Sequence, residues 1–136
     1  INEYIYRKVD YNKSIINSIS KQRITDYFNA LDNIKKFSKK RLHKTNMNFN
    51  SIFGESGYCY EMVHFVISRE KSPNKAIELL NHAYLLSKRL FDLKNLKPKT
   101  HKDRFVHFYF NNFPNVQKTL DYHRFKRDIL EINEEI

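Results

Sequence analysis

The stretch HKDRFVH, residues 101–107, sets two imidazoles and a guanidinium, those of His101, His107 and Arg104, within one short segment. That set matches what a metal-free ribonuclease needs. An imidazole moves the proton of the reacting hydroxyl, and a cation stabilises the charge that builds up on the phosphorane. His123 in DYHR, residues 121–124, offers a further imidazole. For each of these histidines the competing and commoner role is structural, with the ring hydrogen-bonded inside the fold. No arginine is followed five residues later by histidine, so the Arg-x4-His pattern of small helical HEPN-type ribonucleases is absent.

Other chemistry is thinner. Glu61 and His64 stand at i, i+3 in EMVH, the spacing that carboxylate-bridged di-iron bundles use twice, with two more carboxylates. No second copy exists. Glu78 and His82, at i, i+4, fit a local hydrogen bond on one helix face. With only two glycines in the chain, phosphate-cradling loops and nucleophile elbows of the Gly-rich kind are missing, as is zinc-finger spacing. No cofactor and no metal are implied. Cys59 is the only cysteine, so neither an intrachain disulfide nor a cysteine zinc cluster can form. A reducing intracellular location, cytoplasmic or nucleoid/nuclear, is the expectation.

Charge is the strongest signal. The chain carries 25 Lys and Arg against 15 Asp and Glu, a net +10. Residues 21–45 hold eight basic and two acidic groups, and residues 73–102 hold seven and two; the remaining segments are near balance. The first block ends in KKFSKKRLHK, residues 35–44, where Lys35, Lys36, Lys39, Lys40, Arg41 and Lys44 fill six of ten positions. The second ends in Lys94, Lys97, Lys99 and Lys102. Cations near a helix C-terminus are favoured by the dipole, but one or two satisfy it. On a helix Lys36, Lys40 and Lys44 share one row, with point charges about 6 Å apart, a spacing suited to the phosphates of a nucleic-acid strand. Tyr27, Phe37, Tyr109 and Tyr122 lie beside the basic blocks and could stack on bases, although core packing is the commoner fate of any one ring.

These residues need a scaffold, and composition points to helices. Apolar residues make up 40% of the 136 positions, with eleven Phe and nine Tyr, while Gly and Pro number two and three. Such a chain fills a core and has few turn signals, which favours an all-α fold over a sandwich or barrel. One domain over residues 1–136 is expected, with room for a missing upstream segment. No apolar run approaches the length of a membrane span.

Periodicity predicts helices over residues 1–20, broken near Asp10, and over 21–44. In the latter, Ser20 is the cap and Ile24, Tyr27, Phe28, Leu31, Ile34 and Phe37 form the apolar stripe. Residues 45–57 read as the main loop. Residues 72–94 form the clearest helix, with Ser72 at the N-cap, Pro73 at the first position and Ala76, Ile77, Leu80, Tyr84, Ser87, Leu90 and Phe91 along one face. A basic connector spans 95–102. Pro114 opens a final helix with Val116, Leu120, Phe125, Ile129 and Ile132 inward. Residues 58–70 and 103–110 fit helix or strand, helix being favoured in this company. The expected architecture is an irregular bundle of five or six helices.

Three functions follow, in order. The first is a non-enzymatic protein holding the DNA or RNA backbone through both Lys/Arg-rich blocks. The second is a helical interaction module of the inhibitor, immunity or scaffold type that docks an acidic protein. The third is a metal-free ribonuclease. None of them calls for a membrane.

Overall fold

A computed structural model describes residues 19–45 and 55–134, without the side chains at 39, 41–45 and 134. Among the described residues there are five α-helices and no strand. They are α1 (Lys21–Thr45), α2 (Glu55–Arg69), α3 (Pro73–Leu90), α4 (His101–Asn112) and α5 (Thr119–Glu134), with a 3-10 turn at Phe113–Asn115. Both ambiguous segments, 58–70 and 103–110, are therefore helical. The helix expected over 1–20 lies outside the described residues except for its last two positions.

Cross-helix contacts fix the directions. Thr25 meets His82 and Lys35 meets Leu90, so α1 and α3 run parallel. Lys35 also meets Glu55, and Arg23 lies over Phe65, so α2 runs against α1. Ser56 bonds Asp103 and Tyr60 packs on Phe105, which sets α4 parallel to α2. Phe108 packs on Phe125, and Tyr60, which packs on Phe105 near the start of α4, bonds Asn133 at the far end of α5, so α5 runs back against α4. Consecutive helices thus alternate up and down. The C-termini of α1, α3 and α5 share one end with the N-termini of α2 and α4.

The core is one cluster. Ile24, Phe28 and Leu31 of α1, Val63, Val66 and Ile67 of α2, Ala76, Leu79, Leu80 and Ala83 of α3, Phe105, Val106 and Tyr109 of α4, and Tyr122, Phe125 and Ile129 of α5 are all buried. Rings fill much of its middle: Tyr84, Tyr109, Phe113 and Phe125 lie within 5.1–6.2 Å of one another in successive pairs. The Tyr109 hydroxyl donates to the Leu80 carbonyl at 2.6 Å, which satisfies its one polar atom without leaving the core.

Several expected boundaries move. Helix α2 begins at Glu55, so Ser56 and Gly57 are helical rather than loop. Helix α3 ends at Leu90 with Phe91 extended, four residues before the predicted stop, and the connector becomes 91–100. Ser72 occupies the N-cap but makes no side-chain cap bond; its amide instead donates to the Glu70 carboxylate. Ser20 does cap α1, its hydroxyl accepting from the Arg23 amide at 3.2 Å. Pro114 sits in the 3-10 turn, and α5 starts only at Thr119. The inward stripe also stops early. Ile34, Phe37 and Leu120 are 44, 62 and 82% exposed.

Candidate nucleic-acid interface

The first basic block rides on the second half of α1. Lys35 falls four residues after Leu31 and seven after Phe28, so it stands on the inward row rather than on an outer ridge. Its ammonium donates to the Leu90 carbonyl at 2.6 Å, pairs with Glu55 at 3.5 Å and lies 5.1 Å from the centre of the Phe91 ring. Only 27% of the side chain is exposed. One cation therefore clips α1 to the end of α3 and to the start of α2. The clip also answers the negative end of the α3 dipole, where the last carbonyls lack helical partners.

Lys36 points the other way. Its side chain is 72% exposed and pairs with Asp32 at 3.1 Å, one turn back on the same helix. Lys40 is exposed, with no ion-pair partner among the described residues. The side chains of Lys39, Arg41 and Lys44 lie outside the described residues, although the helical backbone continues through all three. Past Lys35, α1 runs ten residues beyond the level at which α3 ends, roughly 15 Å at the helical rise.

The second block reaches the same end by another route. Leaving Leu90, the chain buries Phe91 and Leu93, closes a turn with the Leu96 amide on the Leu93 carbonyl, and arrives at α4. There Thr100 and Asp103 form a reciprocal capping box, and the Asp103 carboxylate also takes the Lys99 amide and the Ser56 hydroxyl. Burial alone would push the Asp103 carboxyl up. The hydrogen bonds from Ser56 and from the Thr100 and Lys99 amides outweigh it and hold the group below its ordinary value. Lys94, Lys97 and Lys99 are exposed, with no ion-pair partner among the described residues. Lys102 is partly engaged, 3.6 Å from Glu61 and 5.5 Å over the Tyr60 ring.

Both blocks therefore lie at one end of the bundle. The link is short: Lys35 contacts the residue from which the second block departs, and the Glu55–Ser56 pair joins Lys35 to the start of α4. Sequence spacing gave no sign of this meeting, because it depends on α1 and α3 running parallel.

The histidines divide differently from expectation. His101, Arg104 and His107 follow one another by three residues on α4, which turns His107 about 120° from His101. They do not converge. His107 sits within 3.2 Å of the Asn111 amide nitrogen, and Arg104 is exposed. His101 instead meets Tyr60 edge-on at 6.2 Å, and its Nδ1 is buried without a hydrogen-bond partner among the described residues. His64 stacks on the same tyrosine at 5.8 Å, and the Tyr60 hydroxyl donates to Asn133 at 2.5 Å. His82 turns its Nε2 to the Thr25 hydroxyl at 2.7 Å, tying α3 to α1 in place of the expected local bond to Glu78. His123 is exposed on α5.

Among the described residues, no group of three or more His, Cys, Asp and Glu could hold a metal ion, and no helix is long and apolar enough to cross a membrane. Cys59 is fully buried, and burial pushes its thiol up to about 12. Comparison with protein-family models, curated proteins and solved structures gives no match.

Proposed function

We propose that this chain binds nucleic acid, chiefly through phosphate contacts made by the basic end of the bundle. The observation that supports the reading is the meeting of the two basic blocks around Lys35, Leu90 and Glu55. Cations from separate stretches of sequence thereby form one field, and clustered charge raises the local concentration of a polyanion. Lys35 itself is committed within the fold. The residues proposed to contact phosphate are then Lys36 and Lys40 with Lys39, Arg41 and Lys44 on α1, joined by Lys94, Lys97, Lys99 and Lys102. Contacts of this kind position a backbone without reading its bases.

The test is a salt titration of binding to unrelated DNA and RNA sequences. Replacing Lys36, Lys40 and Lys44 together with Gln should flatten the slope of log K against log salt by about 2–3, since each lost phosphate contact removes about 0.7–0.9. Gln keeps helix propensity close to that of Lys, so the fold is undisturbed. Wild-type protein that binds no nucleic acid at low salt would remove this reading in favour of an acidic protein partner. Turnover of RNA that is lost in His107→Ala would move it to a ribonuclease.

A further inference from the structure

We propose that Glu61, His64, His101 and Lys102, gathered around the Tyr60 ring, form a metal-free RNA-cleaving site at the basic end of the bundle. The proposal rests on the phosphate-binding reading and deepens it: a strand held by the lysines is cut at one of its phosphates. Its own evidence is separate. His64 stacks on Tyr60 at 5.8 Å and His101 meets the same ring at 6.2 Å, so α2 and α4 bring two imidazoles to one tyrosine. The Lys102 ammonium lies 5.5 Å over that ring and 3.6 Å from the Glu61 carboxylate. Packing on Phe105 at 4.7 Å and the hydroxyl bond to Asn133 hold the tyrosine in place.

The fold leaves the polar atoms of these two histidines unused. A structural imidazole is hydrogen-bonded, as His82 is to Thr25 and His107 to Asn111. His64 and His101 are half-buried and make no hydrogen bond among the described residues. Of their four ring nitrogens only His101 Nδ1 is closed off without a partner. The other three are open to a ligand. Breaking an RNA strand without a metal takes a base for the 2′-hydroxyl, an acid for the departing 5′-oxygen and a cation for the phosphorane. Glu61 and His64 stand at i, i+3 and so share one face of α2. The Glu61 carboxylate, 63% exposed, takes the 2′-hydroxyl proton as the 2′-oxygen bonds to phosphorus. The His64 imidazolium gives its proton to the 5′-oxygen as the old P–O bond breaks. Lys102 and the Nε2–H of His101 meet the charged phosphoryl oxygens. A proton on Nε2 suits that role, because on Nδ1 it would be buried without an acceptor. The products are a 2′,3′-cyclic phosphate and a 5′-hydroxyl, and proton exchange with water resets Glu61 and His64. DNA lacks the attacking hydroxyl, so it is bound but not cut.

The experiment incubates the full chain with labelled single-stranded RNA and a metal chelator, beside DNA and 2′-O-methyl RNA of matching sequence. The RNA should be cut to 2′,3′-cyclic phosphate and 5′-hydroxyl ends, and the other two strands should stay whole. Glu61→Gln and His64→Gln should each slow cleavage about 100-fold or more, and Lys102→Gln about 100-fold. For Glu61→Gln and His64→Gln, the melting temperature and the affinity for 2′-O-methyl RNA should stay as in wild type. His107→Gln should keep the full rate. Wild-type protein that leaves RNA intact overturns the site, and so does cleavage that the chelator abolishes. Those wild-type results decide even where a variant fails to fold. Cleavage that survives both Glu61→Gln and His64→Gln also overturns it. Intact RNA with salt-dependent binding of the 2′-O-methyl strand removes the site and leaves the phosphate reading standing. Failure to bind or cut any strand removes both.

Discussion

The two basic blocks are similar in charge and unlike in mounting. The first stands on a continuous helix that outruns its neighbour, so its cations are spaced by helical rise. The second stands on an irregular strap held at both ends, by Phe91 and Leu93 sunk in the core and by the Thr100–Asp103 box. A count of lysines treats the two as equivalent. Their physics differs, because the helix positions side chains by local hydrogen bonds whereas the strap does so by tertiary anchors.

The contrast can be broken at the anchors first. Leu93 is 2% exposed, so Leu93→Ala should lower stability by about 2–5 kcal/mol in urea unfolding. A loss below about 0.5 kcal/mol would mean that the strap is merely draped over the core.

At the other end of the strap, Asp103→Ala should cost about 1–2 kcal/mol by removing its side of the cap. The pH dependence sharpens this. Asp103 titrates below its ordinary value of 3.8 in the folded chain, so its stabilisation is present above that value and is lost as pH falls through the depressed folded one. Acid unfolding followed by circular dichroism should therefore show a weaker pH dependence below 3.8 in Asp103→Asn than in wild type.

Within α1 the effects should be smallest and should divide at one residue. Lys35→Met keeps the stem but removes the bonds to Leu90 and Glu55, and should cost about 1 kcal/mol once partial exposure is allowed for. Lys40→Ala, five positions on, should change stability by less than about 0.5 kcal/mol by the same measurement. Equal losses would mean that the extension packs as tightly as the rest of the helix.

How far the sequence could be read follows from what each residue answers to. Ile24, Phe28 and Leu31 announce an inward face because helical period alone decides it. Ile34 and Phe37 repeat at i, i+3 from Leu31, and each such step falls about 60° short of a full turn, so the stripe drifts off the buried row and reaches solvent. Leu120 also misleads, from the first turn of α5. Gly57 and its polar neighbours read as loop by propensity, but the tertiary contacts of Ser56 and Tyr60 hold that turn in the helix. Two signals in the sequence did point to the observed structure. Lys35 lies on the core row, and Thr100 to Asp103 has capping-box spacing. What no pattern carried is the meeting of the two basic blocks, which belongs to topology.

The buried thiol of Cys59 has a practical consequence. Thiol-directed reagents attack the thiolate, and a group pushed up to about 12 and closed off by the core supplies almost none at neutral pH. Toward a maleimide dye the native chain therefore behaves as though it had no cysteine. Asn33→Cys or Lys40→Cys would take label selectively, directly beside Phe37. Energy transfer from that label to a dye on an oligonucleotide would then report whether a nucleic acid approaches the α1 extension, with the core left as it is.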